Sequence, residues 1–169
     1  DNYTAFARSM PDTRVFYAVK ANPDPAILSL LASLGSCFDT ASVAEVEMAL
    51  AAGAEPDRIS FGNTIKKERD IARAFERGVR LFAVDCTAEV EKIARAAPGA
   101  QVFCRILCDG AGAEWPLSRK FGCAPEMATD VLDHDITAAD LSAAYSLLAP
   151  QLEALRQEVM AHMALQNQV

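Results

Sequence analysis

The feature that most constrains this chain is a regular alternation of short apolar runs with helical segments. Five runs recur at intervals of about 20 to 24 residues: VFYAVKA, SCFDT, RISFGN, RLFAVD and AQVFCRIL. The segments between them carry apolar residues at helical spacing, and three of them end at a glycine, namely Gly35, Gly53 and Gly78. Short strands that alternate with helices of this length predict βαβ units and a parallel sheet.

Two architectures share this spacing, a (β/α) barrel and a doubly wound sheet. The strands lack an alternation of polar and apolar residues, which indicates burial on both faces in either case. No G-x-G-x-x-G follows the first strand, and this weighs against a dinucleotide-binding sheet. We therefore predict an α/β fold in which residues 1–133 form a partial TIM-type (β/α) barrel of about five βα units, where a complete barrel has eight.

The pattern changes after the last predicted barrel helix, which covers 126–132. Residues 134–169 contain no strand signal, and apolar residues between Leu141 and Met163 form one helical stripe that Pro150 interrupts. We predict a helical tail or helical hairpin there, packed onto the sheet.

Composition excludes several classes of function. The net charge is −7 and the sequence pI is about 4.8, so neither nucleic acid nor an anionic membrane is an expected partner. No apolar run approaches the length of a membrane span. The cysteine count is five, with no C-x-x-C motif, and Cys104 and Cys108 have no histidine nearby. This pattern predicts reduced thiols in a cytoplasmic protein without a metal site.

The stretch VFYAVKAN places a lysine at the end of an apolar run. In a parallel barrel the carboxyl ends of the strands meet at one rim, where we expect Lys20, Asp39, Asn63, Asp85 and Arg105 to gather. A lysine that is desolvated there has a lowered pKa and can attack a carbonyl as the neutral amine. Pyridoxal phosphate is the commonest aldehyde partner for such a lysine.

Four motifs carry a family resemblance: FYAVKAN, FDTAS, SFGNTIKK and PLSRKFG. Together they resemble the ornithine/lysine decarboxylase group of pyridoxal-phosphate-dependent enzymes, which are built on an alanine-racemase-like barrel. The resemblance covers residues 6–132. It implies decarboxylation of a basic amino acid, ornithine or lysine, to a diamine for polyamine synthesis, in a cytoplasmic homodimer.

The resemblance also implies roles for five residues. Lys20 matches the lysine that forms the internal aldimine with pyridoxal 5'-phosphate, and Asp39 matches a carboxylate close to it. Glu45 and Arg105 match residues near the cofactor, and Lys120 matches a residue that pairs across the dimer interface.

Each role has a purely structural alternative. Lys20 could be a strand-end lysine that reaches water, and Glu45 could complete a capping box with Ser42. Arg105 could pair with Asp39 or Asp85, and Lys120 could be a solvated loop lysine. We expect the charged cluster 66–70 to be a solvated helix face.

Function has alternatives too, because the family's ring-stacking histidine, glycine-rich phosphate turn and β-domain have no counterpart in these 169 residues. The chain could be a non-catalytic, decarboxylase-like barrel fragment that acts as a binding or regulatory partner, or a truncated inactive gene product. A racemase of the same fold is a third reading, against which the KFG motif speaks.

Overall fold

The structure is a computed structural model that describes residues 2–107 and 121–133. Its strands are β1 Phe16–Ala18, β2 Cys37–Thr40, β3 Ile59–Phe61, β4 Leu81–Val84 and β5 Gln101–Cys104. Its helices are α1 Asn2–Ser9, α2 Pro25–Ser33, α3 Val43–Ala51, α4 Glu68–Glu76, α5 Thr87–Ala96 and α6 Pro125–Leu132. Two 3-10 turns, Val19–Ala21 and Pro56–Arg58, follow β1 and precede β3.

All five strands are parallel, and they lie in the sheet in the order in which they occur in the chain. A doubly wound sheet reverses its strand order at a switch point, whereas a (β/α) barrel adds each strand beside the previous one. The sequential order therefore confirms the predicted α/β fold with the beginning of a barrel.

The register divides the sheet into two faces, because successive side chains of a strand point to opposite sides. Phe38, Ile59 and Phe82 share one face and are at most 1% exposed, as expected where the connecting helices cover it. Phe16, Asp39, Ser60, Leu81 and Phe103 follow the other parity, and these five line a cavity of about 570 Å³. The helix-covered face is the core, and the other face is the concave one.

Local signals explain where the helices begin and end. Ser42 Oγ accepts a hydrogen bond from Glu45 N, and Glu45 Oε2 accepts one from Ala41 N at 2.8 Å. The predicted pair of Ser42 and Glu45 thus caps α3 as in a capping box, except that Glu45 reaches the amide one residue before the N-cap. Gly35, Gly53 and Gly78 all have positive φ directly after their helices, as the sequence predicts.

Three features differ from the sequence-based expectation. Helix α1 is not predicted from the sequence, because none of its residues is buried and no apolar stripe announces it. Helix α4 begins at Glu68, so it does not include the whole charged cluster 66–70, and Lys66 before it is buried instead of solvated. The predicted tail at 134–169 lies outside the described residues, and the division at 133 stays a prediction. Among the described residues, no helix has the length and apolarity that a bilayer crossing needs.

Candidate active site at the carboxyl edge of the sheet

A second cavity, of about 330 Å³, opens at the carboxyl edge of the sheet. Among the side chains that line it are those of Lys20, Asp39, Asn63, Arg105 and Phe121. The parallel topology accounts for this gathering, because each of the first four residues belongs to or follows the end of a strand. The structure thus brings together four of the five residues expected at the rim, and leaves Asp85 outside the cavity lining.

Lys20 is presented by a turn rather than by the strand itself. β1 ends at Ala18, and the 3-10 turn that follows buries Val19 completely while Lys20 stays exposed. The apolar run therefore ends before the lysine, and the expectation that Lys20 is desolvated in this chain is wrong. The amine nevertheless lies on the predicted edge and lines the cavity.

Asp39 is the best-supported acidic group of the site. Its Oδ1 accepts a hydrogen bond from the Ser60 hydroxyl at 2.9 Å, across the β2–β3 pair. Burial raises the pKa of the Asp39 carboxyl above its ordinary value, while the Ser60 hydrogen bond and the charges of Lys20 and Arg105 oppose this rise. The carboxyl thus lies within electrostatic reach of both cations of the cavity.

Gly62 makes room for this carboxyl. A Cβ at position 62 would lie 2.7 Å from Asp39 Cγ and closer still to Oδ1, which is inside van der Waals contact. The glycine of the motif SFGN is therefore required by the side chain of the neighbouring strand and not by a turn.

Arg105 and Phe121 form the opposite wall of the cavity. Arg105 directly follows β5 rather than lying in it, and its guanidinium carbon is 5.7 Å from the centre of the Phe121 ring. Gly122 N donates to Asp85 Oδ2 at 3.1 Å, so Asp85 holds the segment that carries Phe121. Gly122 has a φ of +117° and packs against the backbone of Ile106, which no residue with a side chain could do without strain.

Two other predicted site residues do not line either cavity. Glu45 caps α3, so its structural alternative is confirmed, and its proposed cofactor contact stays a prediction. Lys120 lies outside the described residues.

The structure also corrects the prediction for Lys66. Its side chain is completely buried, and its Nζ lies 3.0 Å from Glu89 Oε1 and 2.9 Å from the carbonyl of Asn63. A third bond runs to the carbonyl of Ala83. Burial lowers the pKa of Lys66, and Glu89 opposes that shift. Lys66 is thus not part of a solvated helix face. Its ammonium is paired with Glu89 and holds the loop that carries Asn63.

The comparison with known families decides which family this chain belongs to. Residues 1–143 match the family model described as "Pyridoxal-dependent decarboxylase, pyridoxal binding domain". The chain belongs to the pyridoxal-dependent decarboxylases. The resemblance predicted from the four motifs is thereby confirmed, and pyridoxal phosphate is the cofactor that the family's domain and its solved relatives support.

Individual decarboxylases agree with this assignment. The lysine/ornithine decarboxylase of Selenomonas ruminantium is 42% identical over 132 residues, which are 78% of this chain and 34% of that protein. The chloroplastic ornithine decarboxylase of Nicotiana glutinosa is 45% identical over 126 residues, 73% of this chain and 29% of that protein. The chain thus spans about a third of the length of these curated relatives.

Solved decarboxylase structures show the same fold. The lysine decarboxylase from Selenomonas ruminantium superimposes with a TM-score of 0.73 at 42% identity, over 82% of this chain and 36% of that one. The arginine decarboxylase of Paramecium bursaria Chlorella virus gives a TM-score of 0.74 at 30% identity, over 78% and 36% of the two chains. The five parallel strands are therefore the first part of a decarboxylase barrel.

Several residues around this cavity escape sequence reasoning. Ser60, Gly62 and Phe121 stand inside the recognised motifs, but only the folded structure shows that the first two contact Asp39 and that Phe121 faces Arg105. The Lys66–Glu89 pair joins the loop before α4 to α5, and its two residues are 23 positions apart in the chain. A lysine in an otherwise charged run carries no sign of such a partner.

Proposed function

We propose that this chain holds pyridoxal 5'-phosphate through Lys20, and that the protein to which it belongs decarboxylates a basic amino acid. The observation that carries the proposal is the shared cavity of Lys20, Asp39 and Arg105 at the carboxyl edge of a parallel sheet. Ornithine and lysine are the substrates that the relatives' names support, and the product of either would be a diamine.

The side chains of the cavity fit the cofactor chemically. A primary amine suits an aldehyde, a guanidinium suits a phosphate or carboxylate, and an aromatic ring beside the guanidinium suits a planar ring. When bound, pyridoxal phosphate supplies an aldehyde for amine exchange and a ring that takes up the electrons left by departing carbon dioxide.

Each side chain then has a definable task. Lys20 supplies the nucleophilic nitrogen once it has lost a proton. The Asp39 carboxyl, whose pKa is raised by burial, can take up or return that proton beside the amine. Arg105 holds an anionic group, and Phe121 limits how far the guanidinium can swing.

The test is covalent trapping. The full chain is incubated with pyridoxal phosphate, reduced with borohydride and digested with trypsin. Reduction on Lys20 blocks cleavage there, so the adduct is expected on residues 15–58, which trypsin would otherwise split after Lys20.

Lys67→Met is the matched control, because Lys67 is an exposed lysine outside the lining of the cavity. We expect Lys20→Met to abolish the adduct on 15–58 and Lys67→Met to leave it unchanged. Equal labelling of the chain's lysines, with no excess on Lys20, would overturn the proposal. Release of carbon dioxide from ornithine, lysine and arginine then ranks the substrates.

A non-catalytic, decarboxylase-like binding partner is the second candidate. It is favoured by the exposure of Lys20 and by Phe103 on the concave face, which is 39% exposed. A shared peak with a full-length decarboxylase in sizing chromatography, combined with no trapped adduct, would support it. Dimerisation through Lys120 is a further proposal, and the same chromatography on Lys120→Ala tests it.

A further inference from the structure

Two thiols meet on the helix-covered side of β5. The sulfur of Cys104, the last residue of β5, lies 3.3 Å from the sulfur of Cys123, which precedes α6. Both cysteines are free thiols, Cys104 half-buried and Cys123 5% exposed. This contact plays no part in the site described above, whose residues follow the opposite parity of β5.

The backbone holds the two cysteines in this position independently of their sulfurs. Cys123 N donates to the carbonyl of Arg105 at 2.9 Å, and Leu107 N donates to the carbonyl of Cys123 at 2.8 Å. Ile106 and Cys123 form a parallel bridge. The fold therefore keeps the backbones of the two cysteines close together, and the side chains bring the sulfurs into contact.

The local chemistry narrows what the pair can do. Within 2–107 and 121–133, no group of three histidine, cysteine or acidic side chains could hold a metal ion. A disulfide has a sulfur–sulfur distance of about 2.05 Å, so the two sulfurs need to approach by only a little more than 1 Å. Oxidation is the reaction that two such thiols can undergo with the least movement.

We propose that Cys104 and Cys123 are a site of reversible oxidation to a disulfide. With a low-molecular-weight disulfide such as oxidised glutathione, the thiolate of the half-buried Cys104 attacks one sulfur and releases one equivalent of the small thiol. Cys123 then attacks the sulfur of Cys104 and releases the second equivalent. The protein loses two protons and two electrons, and the small disulfide takes them up to become two thiols.

The surroundings set the rate of this reaction. Burial, the Cys123 thiol and the carboxylate of Asp85 raise the pKa of Cys104 to about 12. The thiolate fraction is then small at neutral pH, so the first attack is slow and the pair is reduced in a reducing compartment. Oxidation requires sustained exposure to the oxidant or a mildly alkaline medium.

The crosslink would restrain the backbone beside two residues of the proposed cofactor site. Arg105 is the neighbour of one cysteine and its carbonyl accepts a bond from the other, while Phe121 lies two residues before Cys123. Oxidation would hold this wall of the cavity to β5. The disulfide itself does not depend on the proposed function, and only this consequence does.

Peptide mapping tests the proposal on the full chain. The chain is treated with oxidised glutathione at pH 8.5, unreacted thiols are alkylated, and trypsin is added without reductant. Trypsin places Cys104, Cys108 and Cys123 on three different peptides, 96–105, 106–119 and 121–156. We expect the pair 96–105 with 121–156 to be the main crosslinked species, and a reductant to remove it.

Matched serine variants sharpen the result. Cys104→Ser and Cys123→Ser should each abolish the crosslink, whereas Cys86→Ser, which removes an exposed thiol elsewhere, should leave its yield unchanged. The oxidised wild type should also unfold at a higher temperature than the reduced form, because the crosslink closes a chain loop. A dominant crosslink through Cys108, or only glutathione adducts on separate peptides, would overturn the proposal whether or not Lys20 binds the cofactor.

Discussion

Lys20 and Lys66 stand in similar places and have opposite surroundings. Each comes after a strand at the carboxyl edge of one parallel sheet, Lys20 after β1 and Lys66 after β3. Lys20 is exposed and lines the cavity with Asp39 and Arg105, whereas the Lys66 side chain is fully buried and bonded to Glu89. The difference shows that a position just beyond a strand end does not tell whether a lysine amine is free to react.

Partners explain the difference better than burial does. All three donor hydrogens of Lys66 have acceptors, in Glu89, Asn63 and Ala83. This amine therefore has a structural role and no free donor. Lys20 faces a carboxyl that is itself engaged by the hydroxyl of Ser60. A reactive amine needs a nearby group that can exchange a proton with it, and its nitrogen must be accessible to the carbonyl that it attacks.

The largest expected effect comes from removing the buried amine. Lys66→Met breaks the buried pair with Glu89, whose carboxylate keeps Lys92 as its other cation, and we expect the free energy of unfolding to fall by about 3 kcal/mol. Lys20→Met removes an exposed side chain and should change it by no more than about 0.5 kcal/mol. Urea titration followed by circular dichroism compares the two variants.

A double substitution serves as the control for this comparison. In Lys66→Met/Glu89→Leu neither charge remains, so the loss should be smaller than in Lys66→Met alone. Similar losses for Lys20→Met and Lys66→Met would show that the two lysines do not differ as described.

A smaller effect is expected at Gly62. This residue lines the cavity with Lys20 and precedes Asn63, whose carbonyl accepts a bond from Lys66. Gly62→Ala places a methyl group against the Asp39 carboxyl, and relieving the overlap should cost about 1–3 kcal/mol. The displaced carboxyl should also reduce borohydride trapping on Lys20, which Lys66→Met should affect only through stability.

Introducing Gly62→Ala into the variant Asp39→Ala tests whether the loss of stability comes from overlap with the Asp39 carboxyl. With the carboxyl gone, adding Gly62→Ala should cost much less than it does in the wild type, as measured by the same urea titration. An unchanged cost would mean that the glycine is needed for its backbone and not for the neighbouring side chain.

The sequence alone predicts the fold and the edge at which the site residues lie, but not the surroundings of each lysine. The strand–helix cycle predicts the parallel sheet and the barrel order, because burial and helix caps are read from neighbouring residues. The strand ends likewise place Lys20, Asp39 and Arg105 at one edge. The exposure of Lys20 and the pairing of Lys66 with Glu89 depend on side chains distant in the chain, for which neither spacing nor composition carries a signal.

The smallest expected effect concerns the protonation of Asp39, the carboxyl that shares the cavity with Lys20. The pKa of Asp39 is raised in the folded chain above its ordinary value of 3.8, mainly by burial. Between the two values the folded chain binds more protons than the unfolded chain, so the contribution of Asp39 to stability is largest below 3.8. It is lost as the pH rises through the folded pKa. The difference in unfolding free energy between wild type and Asp39→Asn should therefore decline across this window and be constant above it.

Ser60→Ala tests the cause of this pH dependence. Without the hydroxyl that lowers the pKa of Asp39, the window should extend to higher pH, and in Asp39→Asn the same substitution should leave the pH profile unchanged. Carbon-detected NMR titration of the carboxyl gives the same quantity directly. A midpoint at or below 3.8 in the folded wild type would contradict the raised pKa, and with it the role of Asp39 as the proton partner of Lys20. Lys20 would then differ from Lys66 in exposure alone.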